Sequence, residues 1–154
     1  AVKFYKSIGC HVTAFTSSKD KNDSLIDMGA DKIISSIDKS EIKKYVSTFD
    51  FIISTVNVKL DWNLYLSVIK PRGRLHFVGA VLENIDASVF SLMGGRRSIS
   101  GSPVGSPKNI KKMLDFCVEH NIYPDTESFQ FDKINDAIKK LRDNKIRFRA
   151  VLSW

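Results

Sequence analysis

Cysteine is scarce in this chain. The two present, Cys10 and Cys117, stand far apart with no CxxC pair, and the three histidines are scattered. That pattern argues against a zinc site within these residues and for a reducing, cytoplasmic compartment. No apolar run approaches the roughly 20 residues of a membrane span, so no membrane partner is expected. Acidic residues are outnumbered: 17 Asp and Glu face 24 Lys and Arg, a net charge of +7. A basic balance raises nucleic acid as a partner. However, Lys43-Lys44, Lys111-Lys112 and Lys139-Lys140 each sit beside apolar helical positions. That spacing describes solvated helix faces, and nucleic-acid binding is not expected. Internal repeats and low-complexity linkers are missing as well.

What is present is an ordinary globular composition, 43% hydrophobic and 27% charged over 154 residues. Residues 1–154 are long enough for one domain with a real core. Ala1 to Ile8 reads as an amphipathic helix with Val2, Phe4, Tyr5 and Ile8 inward and Gly9 as its stop. A chain that opens inside a helix without an initiator Met is expected to be part of something longer. His11–Thr16, Lys32–Ser35, Phe51–Val56, Arg74–Val78, Ser98–Ser100 and Phe148–Trp154 read as strands, and Phe129–Phe131 as a short extended piece. Helices are expected over Asp20–Met28, Ser40–Thr48 with Ser40 as cap, and Leu60–Ile69, stopped by Pro71-Arg72-Gly73. Asn84–Gly95 has room for a short one. Pro107–His120 places Ile110, Met113, Leu114 and Cys117 on one face. Asp132 caps the last, through Leu141, with Ile134, Ala137, Ile138 and Leu141 inward. Alternating strands and helices predict an α/β fold, a doubly wound parallel sheet with right-handed crossovers.

In such sheets ligands sit beyond the carboxyl ends of the strands. The stretch HVTAFTSSKDK, His11 to Lys21, runs from a strand into such an end. A dinucleotide site for NAD places an acid there to grip the ribose 2′-hydroxyl. Here the strand ends in Thr16, Ser17 and Ser18, with Lys21 close behind. Hydroxyl donors plus a cation suit a 2′-phosphate, which favours NADP(H). The alternative is that Ser17 and Ser18 cap the next helix and Lys21 is a solvated charge.

Several stretches together resemble the cofactor-binding part of zinc-dependent medium-chain alcohol dehydrogenases, in their cinnamyl alcohol dehydrogenase-like branch. They are HVTAFTSSKDK, MGAD (Met28 to Asp31), FDFIISTV (Phe49 to Val56), LHFVGA (Leu75 to Ala80), RRSISGS (Arg96 to Ser102), MLDFCVEHNI (Met113 to Ile122) and RFRAVL (Arg147 to Leu152). The resemblance implies a Rossmann-like NADP-binding domain over residues 1–154. It implies reversible hydride transfer between NADPH and an aldehyde, with a primary alcohol as product. It puts the catalytic zinc, whose role is to polarise the carbonyl oxygen, on ligands outside this chain. The alternative is a non-catalytic nucleotide-binding or regulatory module of the same fold.

Residue by residue, the resemblance assigns Thr16, Ser17 and Lys21, with Ser18 close by, to the 2′-phosphate. It sets Thr55 and Val56 beside the adenosine and its ribose, with core packing the alternative for Val56. Val78, Gly79 and Ala80 correspond to backbone at the nicotinamide end. Gly79 would let the ring approach closely, or would be a plain strand-to-loop glycine. Ser102 and Val104 match groups that bind the carboxamide. Arg149 matches an arginine near the phosphates, or pairs with a surface acid. Two departures are visible: Pro103 stands where the family carries a large apolar residue, and Val81 where it carries a proline. The glycine-rich turn and first strand would fall before Ala1. Their lack predicts a slot between His11–Thr16 and Phe51–Val56 with unpaired backbone on both sides. The resemblance further implies a homodimer through the strand near Ser98–Ser102.

Overall fold

The structure is a computed structural model describing residues 1–143, 145–146 and 148–154. Arg147, the first residue of the RFRAVL stretch, lies outside the described residues. The chain divides into two compact units, Ala1–Ser106 and Pro107–Trp154.

The first unit opens with α1 (Val2–Ser7). Gly9, at φ +83°, ends it, as expected of a glycine stop. Val2, Phe4 and Tyr5 are half-buried, but Ile8 is 59% exposed, because the helix has ended before it. β1 (Thr13–Thr16) is shorter than the expected strand. A 3-10 turn at Lys19–Lys21 then leads into α2 (Asn22–Asp27), which stops at Gly29 with φ +101°. β2 (Lys32–Ser35) pairs with β1 in parallel, Ala14 opposite Ile33.

α3 (Lys39–Lys43) is capped by Asp38, not Ser40. The Asp38 carboxylate accepts from the N–H groups of Ser40 and Glu41 at 2.9 and 3.1 Å. An acid placed one turn ahead reaches the free N–H groups that a serine inside the helix cannot. β3 (Phe49–Ser54) follows, leaving Thr55 and Val56 beyond its end. α4 (Trp62–Val68), capped by Asp61 on the Leu64 N–H, runs directly into β4 (Ile69–Phe77). Pro71-Arg72-Gly73 therefore does not stop the helix. It sits inside β4 as an irregularity, where the register with β3 jumps from Phe49 opposite Ile69 to Phe51 opposite Arg74. Gly73 has no room for a side chain there, since a Cβ would stand 2.7 Å from the Asp50 carbonyl. α5 (Val89–Met93) is the short helix expected within 84–95, and β5 (Ser98–Gly101) pairs with β4 in parallel.

The core lies on one face of these strands. Ile34, Ile42, Leu66, Val68, Ile69 and Leu75 are fully buried, with Trp62 beside them. Each such side chain contributes about 1.5–3 kcal/mol of burial. The strands form two sheets, β1-β2 and β3-β4-β5, with no ladder joining β1 to β3. Aromatic packing spans that gap: the Phe15 ring lies 5.6 Å from Phe49 and 5.4 Å from Tyr65. The predicted slot is there.

In the second unit, α6 (Pro107–Glu119) leads to β6 (Glu127–Gln130), a 3-10 turn at Phe131–Lys133, α7 (Ile134–Arg142) and β7 (Ala150–Ser153). β6 and β7 pair in parallel. Two expectations fail here. Asp132 falls in the turn and makes no cap hydrogen bond to α7. The α6 stripe, on which Cys117 reads as core from its place on the apolar face, is not buried: Leu114 is 54% exposed and Cys117 only half-buried. On α7, Ala137 is buried and Ile134 half-buried, whereas Ile138 and Leu141 are exposed.

Candidate functional site: the carboxyl ends of the strands

The turn after β1 is closed by its own threonine. The Thr16 hydroxyl accepts from the Ser18 N–H at 3.2 Å and donates to the Ser18 carbonyl. The Lys21 N–H in turn donates to that carbonyl at 3.3 Å. Thr16 therefore shapes the turn. Ser18 is half-buried and makes no side-chain cap, which sets aside the capping alternative for it. Ser17 and Lys21 are exposed, and neither has a side-chain partner among the described residues. An open hydroxyl and an open ammonium thus share one short turn.

The ends of β3, β4 and β5 converge separately. The Ser54 carbonyl accepts from both Val78 N–H and Gly79 N–H, at 3.0 and 3.1 Å. A Cβ on Gly79 would lie 2.2 Å from the Val56 carbonyl oxygen. The β4 end is thereby pressed against Thr55–Val56, and Gly79 is required by that approach. Both Thr55 and Val56 are exposed, so Val56 is not core. Ala80 is exposed next to them, while Val81 packs half-buried on the core. The Ser102 N–H donates to the Phe77 carbonyl at 3.1 Å, which brings the β5 end to the same rim. Val104 is exposed there, after Pro103, which has no N–H to offer. No described hydrogen bond or ion pair links this rim to the turn after β1.

Arg149 belongs to the second unit, just ahead of β7, where its carbonyl accepts from the Glu127 N–H at 2.9 Å. His76 was not singled out from the sequence, yet it meets this rim. Its Nε2 lies 3.0 Å from the Ser102 Oγ. The signal was available in the period-two spacing of Arg74 and His76 on β4 against Ser98 and Ser100 on β5, which Ser102 continues just past the strand.

The hydroxyl-and-lysine turn and the tight glycine rim both stand at the carboxyl ends of parallel strands, the end at which ligands of such folds sit. The family described as zinc-binding dehydrogenase matches residues 1–119. The chain belongs to that family.

Among zinc-binding dehydrogenase relatives, the aldehyde reductase AdhA of Synechocystis sp. is 52% identical over 153 residues, 99% of this chain and 46% of that protein. A cinnamyl alcohol dehydrogenase of Sorghum bicolor superposes with a TM-score of 0.92 at 36% identity, over 99% of this chain and 43% of its own. A CAD from Helicobacter pylori complexed with NADP(H) gives 0.83 at 30% identity, over 99% of this chain and 43% of its own. These likenesses confirm the Rossmann-like fold and the alcohol dehydrogenase family. The chain spans less than half the length of these proteins. Among the described residues no group of three His, Cys, Asp or Glu side chains could hold a metal ion. The zinc of the family finds no ligand set in them.

Proposed function

We propose that this chain is the cofactor-binding part of an NADP(H)-dependent zinc-type alcohol dehydrogenase that reversibly reduces aldehydes to primary alcohols. The turn after β1 carries the cofactor choice. It offers the Ser17 hydroxyl and the Lys21 ammonium, and Thr16 to Ser18 include no carboxylate. A 2′-phosphate brings extra negative charge and acceptor oxygens to such a turn, whereas NAD calls for an acid there. The NADP(H) complex of the Helicobacter pylori relative supports this choice, and the Synechocystis relative, an aldehyde reductase, supports the aldehyde. Bound at the rim formed by Val78, Gly79, Ala80, Ser102 and Val104, the cofactor would supply the hydride. The zinc is assigned to residues beyond those described, so the 154 residues alone are expected to be inactive. The same reading takes the protein as a cytoplasmic homodimer.

The test is a titration of NADPH and NADH, read by nicotinamide fluorescence, on a longer protein that supplies the first strand and glycine-rich turn ahead of Ala1, with Ser17 and with Ser17→Asp. A hydrogen bond to a charged group is worth about 1.5–3 kcal/mol. Losing one, and adding a repelling carboxylate, should cost NADPH roughly tenfold to a hundredfold in affinity and turn preference toward NADH. An unchanged ratio would remove this turn from cofactor recognition.

A further inference from the structure

The three-stranded sheet has two unlike faces. Ile52, Leu75, Phe77 and Ile99 turn toward the core. Phe51, Arg74, His76, Ser98 and Ser100 lie on the other face. Parallel sheets covered on both sides are apolar on both sides. Here β4 and β5 carry a row of polar cross-strand pairs instead. Arg74 Nε donates to Ser98 Oγ at 3.3 Å. One pair further, His76 stands opposite Ser100, with Nδ1 2.8 Å from the Ser100 Oγ. Its other nitrogen, Nε2, reaches the Ser102 Oγ at 3.0 Å. The imidazole also stacks on Phe51, with ring centroids 5.9 Å apart and planes at 29°. Two hydroxyls and a ring face therefore hold the imidazole plane in one orientation.

Just beyond β5, the described hydrogen bonds of residues 102–104 run from Ser102 to Phe77 and to His76. Residues 101–106 are all exposed. Pro103 has no N–H, and the one backbone bond of Ser102 goes to the Phe77 carbonyl. We propose that His76 is a positioning residue, whose Nε2 anchors the Ser102 hydroxyl and with it the rim segment at residues 102–104. Ligands of parallel α/β sheets sit at this end of the strands. A neutral imidazole donates from one nitrogen and accepts at the other, so the two serines take opposite roles. With Nε2–H donating, the Ser102 oxygen is held and its O–H is left to point at a ligand acceptor. The consequence for cofactor affinity rests on the reading that this rim binds the nicotinamide end.

The test uses side chains that copy one nitrogen at a time. Glutamine carries its amide near the place of Nε2, asparagine near that of Nδ1, and phenylalanine keeps only the stack on Phe51. One lost hydrogen bond is worth about 1 kcal/mol, so Ser102 amide exchange should quicken about fivefold to tenfold in His76→Phe and His76→Asn. His76→Gln should stay close to native. Ser102→Ala removes the same bond from its other end, and the amide of residue 102, corrected for its intrinsic rate, should quicken to the same extent. Combining it with His76→Phe should add nothing further. NADPH affinity should follow the same order across the histidine variants. Equal exchange in all three, or native exchange in His76→Phe, would overturn the proposal. NADPH affinity unchanged across the histidine variants of a longer protein that supplies the glycine-rich turn would bring down the cofactor reading alone, because the exchange order decides the role of His76 by itself.

Discussion

At Gly79 the backbone leaves space for a hydrogen and nothing more. The atom a side chain would strike, 2.2 Å away, is the Val56 carbonyl, which cannot swing aside as a flexible side chain would. Gly79→Ala should destabilise the first unit by about 1–3 kcal/mol, seen as a lower urea midpoint. An unchanged midpoint would mean that the β3 and β4 ends part freely. Three aspartates set the acid limit of the fold. The Lys6 ammonium and the Val12 N–H hold the Asp31 carboxyl below its ordinary value of 3.8. The Ser40 hydroxyl and the Glu41 N–H do the same for Asp38, as do Lys39 and the Leu64 N–H for Asp61. The unfolded chain thus takes up protons more readily than the folded one. The stability these groups contribute is whole above about pH 4 and is lost as the pH falls through their depressed values. Asp38→Ala should be less stable than native at pH 7, and the difference should close in acid. A difference that does not shrink as the pH falls would count against the assignment. Gly9 and Gly29 were readable as helix stops because only glycine enters their backbone region cheaply. The choice of Asp38 over Ser40 was not, since a cap is defined by where the first turn starts.

Among elements, the open edges of β1 and β3 matter most. The Val12 and Thr16 carbonyls point to β2, where they accept from Asp31, Lys32 and Ser36 N–H groups. By alternation Thr13 and Phe15 point into the gap. The Ser54 carbonyl points to β4, so Phe51 and Ile53 face the gap from the other side. Buried without partners, such groups cost about 1–3 kcal/mol each. Amide exchange in the chain should therefore be fast at Thr13, Phe15, Phe51 and Ile53, and slow at Ile52 and Ser54. Equal protection on both sides would mean that the gap closes in solution. The order of strands and helices was legible because apolar runs and turn residues are local signals. The course of β4 was not. Pro71-Arg72-Gly73 reads as a stop by its own chemistry, but pairing with β3 carries the strand across it.

For the whole molecule, β5 is an edge strand with β4 on one side only. The Ser102 N–H points to β4, so Ile99 and Gly101 present theirs outward. If the protein pairs with a second copy along this edge, Gly101→Pro removes one outward donor and should shift sedimentation from dimer toward monomer. A dimer that survives would place the contact elsewhere. The two units also differ in how well the sequence described them. In the first, the apolar runs of the strands and α4 bury Ile34, Ile52, Leu66, Val68 and Leu75, whereas on α1 Val2, Phe4 and Tyr5 are only half-buried and Ile8 is exposed. In the second, the α6 stripe is correctly spaced and still exposed, because periodicity specifies a face but not what covers it. Residue order alone settled the fold class, the family and the hydroxyl-and-lysine turn, since each is written in neighbouring side chains. Three-dimensional packing alone decided the closeness of Gly79 to Val56 and the hold of His76 on Ser102. Each of these joins segments at least 20 residues apart, and no local pattern records which distant backbone will arrive.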